Sequence, residues 1–125
     1  MFCKIIKDAD KIDLIYEGAE IYWKKPEVIE EIERAKLSPK MLEDFYQYKL
    51  ADIRNKISQL DEVLRFTSYI FDINFGYSFK ILKENNYISK MIDRFDYQMP
   101  ETKEEMMKIK EIANEYIEKK CNQYK

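Results

Sequence analysis

The chain of 125 residues contains no histidine. It therefore lacks the one side chain whose ordinary pKa lies near neutrality. No Ser–His or Cys–His nucleophile pair can be assembled, and no imidazole is at hand to hold a transition metal. Glycine occurs twice and proline three times. That scarcity leaves no Gly-rich phosphate loop and no nucleophile elbow. The two cysteines, Cys3 and Cys121, stand at no zinc spacing and are expected to be reduced and inert. No apolar run of 18 residues occurs, no secretory leader is expected, and no basic block exceeds Lys24–Lys25 or Lys119–Lys120. With 22 basic and 24 acidic residues the net charge is only −2. Neither nucleic acid nor a membrane is indicated as a partner, and a cytoplasmic setting is the simplest expectation.

Helix formers fill the space that breakers leave. Lys, Glu, Ile, Leu and Met are abundant, which predicts an all-α single domain, a helical bundle over residues 1–125. Ile5, Ala9, Ile12, Tyr16, Ala19 and Trp23 recur every three or four residues, with Ile15 and Tyr22 widening the stripe, so a first amphipathic helix should run to about Trp23. Pro26 can open a second helix, and Ser38–Pro39 a third, with Ser38 as its N-cap. Residues 49–57 fit a helix and an irregular connection equally well. After Ser58, a helix that is apolar on most sides from Leu60 to Ile73 should be the core helix, with Gly76 supplying a left-handed end. Asn85–Asn86 can break the next segment, and a short helix then carries Ile88, Met91, Ile92 and Phe95. Thr102 and Glu105 form a capping-box pattern for a long terminal helix, laced by Glu104–Lys108 and Glu115–Lys119. Ten tyrosines and seven phenylalanines fall mostly on apolar faces and read as core. Trp23, Met99, Met106 and Met107 could mark a partner groove, although methionine at helical spacing is more often filler.

The first helix carries the only constellation with chemical content. Asp10, Asp13, Glu17 and Glu20 fall three or four residues apart and share one face, an arrangement that could hold a hard cation such as Mg²⁺. The plainer reading is the solvated side of an amphipathic helix, and spacing alone favours it.

The string Ile5–Leu14, IIKDADKIDL, resembles the last metal-ligand motif of the HD-domain phosphohydrolases. Asp10 stands at the position of the family's final ligand, and Asp13 at the aspartate that often follows. The stretches Phe71-Asp-Ile-Asn-Phe75 and Leu82-Lys-Glu-Asn-Asn-Tyr-Ile88 look like the helical C-terminal extension of bacterial members. The resemblance thus implies the C-terminal part of such a protein, an incomplete HD-type domain with a helical extension. It lacks the upstream histidines and His-Asp pair. A lone aspartate binds divalent ions only weakly. The expectation is that the chain is not catalytic by itself and carries no cofactor alone. A divalent metal is expected only where a histidine-bearing half is supplied, and family analogy then suggests phosphate esters or nucleotides.

Two other readings stand beside this one: a helical protein–protein interaction or regulatory subunit, and an enzyme using the acidic face of the first helix. If upstream helices are missing, apolar surface around Ile5, Ile6, Ile12 and Ile15 should be uncovered. Self-association, or association with another protein chain, is the expected consequence, unless the early helices rearrange to cover the gap.

Overall fold

A computed structural model describes residues 2–123, with side chains from residue 6 onward. Its seven α-helices are α1 (Phe2–Glu20), α2 (Pro26–Arg34), α3 (Pro39–Tyr46), α4 (Gln59–Ser68), α5 (Gly76–Asn85), α6 (Tyr87–Ile92) and α7 (Pro100–Gln123). Two 3₁₀ turns, Ile53–Asn55 and Tyr69–Asp72, complete the described elements, which include no strand. None of the described helices is long and apolar enough to cross a membrane.

The expected core helix is α4. Leu60, Val63 and Leu64, and Ile70 just beyond, have no solvent exposure, because α1, α2, α3 and α6 all pack around this segment. The other layer is built by α7, which lies against α5 and α6 through Met106, Ile109, Ala113 and Ile117. α6 is held between α1 and α7, and Met91 and Ile92 are fully buried there.

Asp61 ties two helix starts together. Its buried carboxylate accepts the Ser58 N–H at 3.3 Å at the head of α4, the Ile57 N–H at 2.8 Å and the Ser38 N–H at 2.8 Å at the head of α3. Ser38 is the N-cap of α3 with Pro39 in the first turn, as the sequence predicts, but its hydroxyl makes no cap bond. The partner of this cap comes from 23 residues further along the chain.

Several helix ends differ from their sequence expectations. α1 stops at Glu20 rather than Trp23, where the backbone turns left-handed at φ 60°. The reversal lays the Trp23 ring against Phe66, 5.2 Å between centroids, and Phe95, 6.2 Å. Gly18 permits this approach, because a Cβ there would stand 2.7 Å from Met91 Sδ and 3.2 Å from the indole. Gly76 does not end a helix. It is the first residue of α5 and has no positive φ, while α4 passes directly into the 3₁₀ turn at Tyr69. Asn86 takes the left-handed conformation, φ 54°, that divides α5 from α6. Pro100, not Thr102, opens α7, so the capping box does not form at its start. The Thr102 hydroxyl instead donates to the Ala35 carbonyl at 3.1 Å, tying α7 to the end of α2. Neither Glu104–Lys108 nor Glu115–Lys119 closes among the described residues. The ion pairs of α7 run to its neighbours, Lys110–Asp93 at 2.9 Å and Lys83–Glu118 at 2.7 Å.

Residues 49–57 resolve into an irregular connection with one 3₁₀ turn. Its helically spaced Leu50, Ile53 and Ile57 all point outward, and Ile57 is 81% exposed. The anchors of this connection are polar: the Ala51 N–H donates to Ser68 Oγ at 3.0 Å, and the Asp52 N–H to Asp44 at 3.2 Å.

Candidate functional site

The three aspartates of the first helix take different roles. Asp8 is buried at 2% exposure and accepts the Asn74 N–H at 2.9 Å, the Phe75 N–H at 3.0 Å, the Asn74 side-chain amide at 3.0 Å and the Ser78 hydroxyl at 2.9 Å. Phe75 is the N-cap residue of α5 and brings no side-chain acceptor of its own, so Asp8 caps that helix from 67 residues away. A carboxylate at a helix N-terminus also meets the positive end of the helix dipole. Sequence reasoning passed over Asp8 in favour of Asp10. A signal was present: Asp8 lies four and seven residues before Ile12 and Ile15, inside the apolar stripe, where an unpaired carboxylate would be costly.

Asp10 and Asp13 are exposed. Among the described residues, no three His, Cys, Asp or Glu side chains stand close enough to hold a metal. The described residues by themselves therefore bring together no ligand set for a metal. Glu17 is engaged locally: its carboxylate beside the Tyr22 hydroxyl holds that phenol above its ordinary pKa.

Beside the Asp8 cap, α1 and α5 leave a groove of about 400 Å³ between them, lined by Ala9, Ile12, Phe75, Tyr77 and Ile81. Asp8 and Ser78, bonded to each other, complete its lining. Further apolar side chains are exposed on the same two helices. Ile6 is 46% exposed, Tyr77 73%, and Tyr16, which meets Tyr87 edge-on at 5.6 Å, 40%. The expected uncovering of Ile5, Ile6, Ile12 and Ile15 is thus partial. Ile6 is open and Ile12 half-buried, Ile15 is completely buried, and the side chain of Ile5 lies outside the described ones. The stripe that periodicity assigns to the core has turned, so that Ile15 and Ala19 reach it while Ala9 and Tyr16 do not.

No family model, no curated protein and no solved structure matches the chain. Its function has to be argued from this face and from the rest of the surface.

The remaining eye-catching residues serve packing. Trp23 is half-buried among aromatic rings, Met106 is buried, and Met99 and Met107 are half-buried, in keeping with their reading as filler. A second aromatic group gathers Phe45, Phe71, Phe79 and Tyr116, with Tyr48 stacked on Tyr116 at 5.9 Å. Lysines lie over two rings at its edge: Lys108 5.3 Å above the exposed Tyr46 and Lys120 5.5 Å above the half-buried Tyr116. Cys121 is half-buried, and the side chain of Cys3 lies outside the described ones.

Proposed function

We propose that this chain is a non-catalytic helical module that receives another protein chain on the open α1–α5 face. The observation that carries the reading is the exposed apolar strip of Ile6, Ala9, Tyr16 and Tyr77 beside a groove walled by Ile12, Phe75 and Ile81. Contiguous apolar surface rimmed by charge is what protein interfaces present. Asp8 makes the face rigid, because it clamps α1 to the start of α5 at the groove's edge. A photoreactive residue at Tyr77 tests the proposal in the cell of origin. A cross-linked adduct should form there and disappear when Ala9→Arg places a charged side chain on the strip. An adduct indifferent to that substitution would sink the assignment of the face.

The HD-type resemblance supplies a second reading of the same face, favoured by the exposure of Asp10 on α1. A segment bearing histidines and a His-Asp pair, from the same product or in trans, would pack on α1 and meet Asp10 as one ligand of a divalent metal. The intact mass of the native product, captured through its C-terminal helix, tests this. A longer product with those residues supports it. A native product of 125 residues, with no histidine-rich protein cross-linked at Tyr77, removes it.

A further inference from the structure

Resting on the interaction reading above, we infer that the occupant of the α1–α5 face is a basic amphipathic helix belonging to a different protein. Shape sets the first condition. From Ile6 to Tyr16 the strip spans ten residues of helix, about 15 Å at 1.5 Å per residue, or roughly three turns. Its apolar side chains come from two neighbouring helices, Ala9 and Ile12 on α1 and Tyr77 and Ile81 on α5, with the groove between them. A third helix with apolar residues at i, i+3/i+4 and i+7 fits such a hollow. Ala9, the smallest side chain of the strip, lets the incoming helix approach closely.

Charge sets the second condition. At 100° per residue, Asp10, Asp13, Glu17 and Glu20 share with Ile6 one solvent-facing sector of α1 that contains no lysine or arginine. Lys11 lies outside that sector, paired with Asp72 at 3.3 Å and set over the Tyr69 ring. At one end of the sector Glu20 is reached by Lys90 at 3.9 Å and feels the charge of Arg94, while Asp10 and Asp13 form no ion pair among the described residues. On the far side of the groove Lys80 is matched by Glu84 at 3.9 Å. The face is therefore apolar with an acidic rim. A partner whose lysines and arginines flank its apolar stripe can lay their aliphatic stems over Tyr16 and Ile6 and set their charges on Asp13 and Asp10. A second copy would bring the same acidic sector against itself in a two-fold pairing, in a chain already at net charge −2.

The test uses the full chain and two fluorescent 18-residue probe peptides. Both carry leucine at the same i, i+4, i+7 and i+11 positions. One has lysine and arginine on the flanks and the other has glutamate. The basic peptide should bind at least tenfold more tightly, weaken as salt rises from 0.05 to 0.5 M, and lose at least tenfold in Asp10→Lys/Asp13→Lys. Glu43→Lys/Glu111→Lys, at exposed positions on other helices, should leave binding unchanged. Equal binding of the acidic peptide, or indifference to the α1 reversal, overturns the basic occupant while leaving the interaction reading intact. Dimers in sedimentation that vanish with Ala9→Arg overturn it in favour of a second copy. Failure of both peptides, together with a Tyr77 adduct indifferent to Ala9→Arg, overturns both readings.

Discussion

Single residues differ in consequence by whether their polar atoms have an alternative partner. Asp8 is the clearest case, because removing its carboxylate strands two backbone N–H groups and the Ser78 hydroxyl. Asp8→Ala should cost about 2–4 kcal/mol, combining a lost cap with buried donors left unpaired, measured by urea denaturation. Asp10→Asn, two residues on and exposed, should stay within about 0.5 kcal/mol of the parent. Reversal of that ranking would mean that Asp10, not Asp8, does structural work. Asp52 is governed by a neighbour in its own turn. Hydrogen bonds from the Arg54 guanidinium and N–H hold its carboxyl at about 2. A depressed folded-state pKa means that its contribution to the 49–57 connection is complete above the unfolded value of about 4 and fades as pH falls toward 2. The carboxyl ¹³C shift of Asp52 should report that low midpoint, and Arg54→Ala should return it to the ordinary range. An unchanged midpoint would detach Asp52 from Arg54. The difference between Asp8 and Asp10 was only half legible in the sequence. Both stand in the same string, and what separates them is the start of α5, brought alongside by the fold.

Proline marks locally where three helices begin, whereas tertiary contact decides where α1 ends. Pro26, Pro39 and Pro100 each sit in the first turn of a helix, a local preference that follows from proline's fixed φ and missing N–H. The ends depend on distant groups. The end of α1 is held by the Arg94 guanidinium, which donates to the Gly18 and Tyr22 carbonyls from 76 and 72 residues away. Burial against that end pushes the Arg94 pKa below its usual value. Arg94→Ala should speed amide exchange through the last turn of α1 while leaving α7 protected. Uniform loss of protection would show that α1 has no separate opening. Asn86 is the local exception, since its left-handed backbone suits an Asn and no β-branched residue. Asn86→Val should lower stability by about 1–2 kcal/mol, and Asn86→Gly should leave it close to the parent.

For the whole molecule, the buried side chains of all seven helices join in one core cluster around α4. Trp23 is the only tryptophan and packs on Phe66 at the edge of that core, so its fluorescence reports tertiary packing. Thermal unfolding followed by indole fluorescence and by helical circular dichroism should give coincident midpoints, as a single cooperative unit requires. Separate midpoints would mean that the α5–α7 layer and the α4 core melt independently. The core holds the fold, while the face proposed for a partner is the portion of α1 that the core does not cover.

By itself the sequence determined the fold class, the presence of a central buried helix and the exclusion of histidine chemistry, because composition, apolar period and residue identity are properties of the chain before it folds. Tertiary structure alone decided which aspartate is buried, which carbonyls end α1, and how the α1 stripe divides between core and solvent. Periodicity names a face but not the angle at which the helix is finally set. On α1, where successive residues stand about 100° apart, Ile15 is sealed in the core while Ala9 and Tyr16 stay exposed.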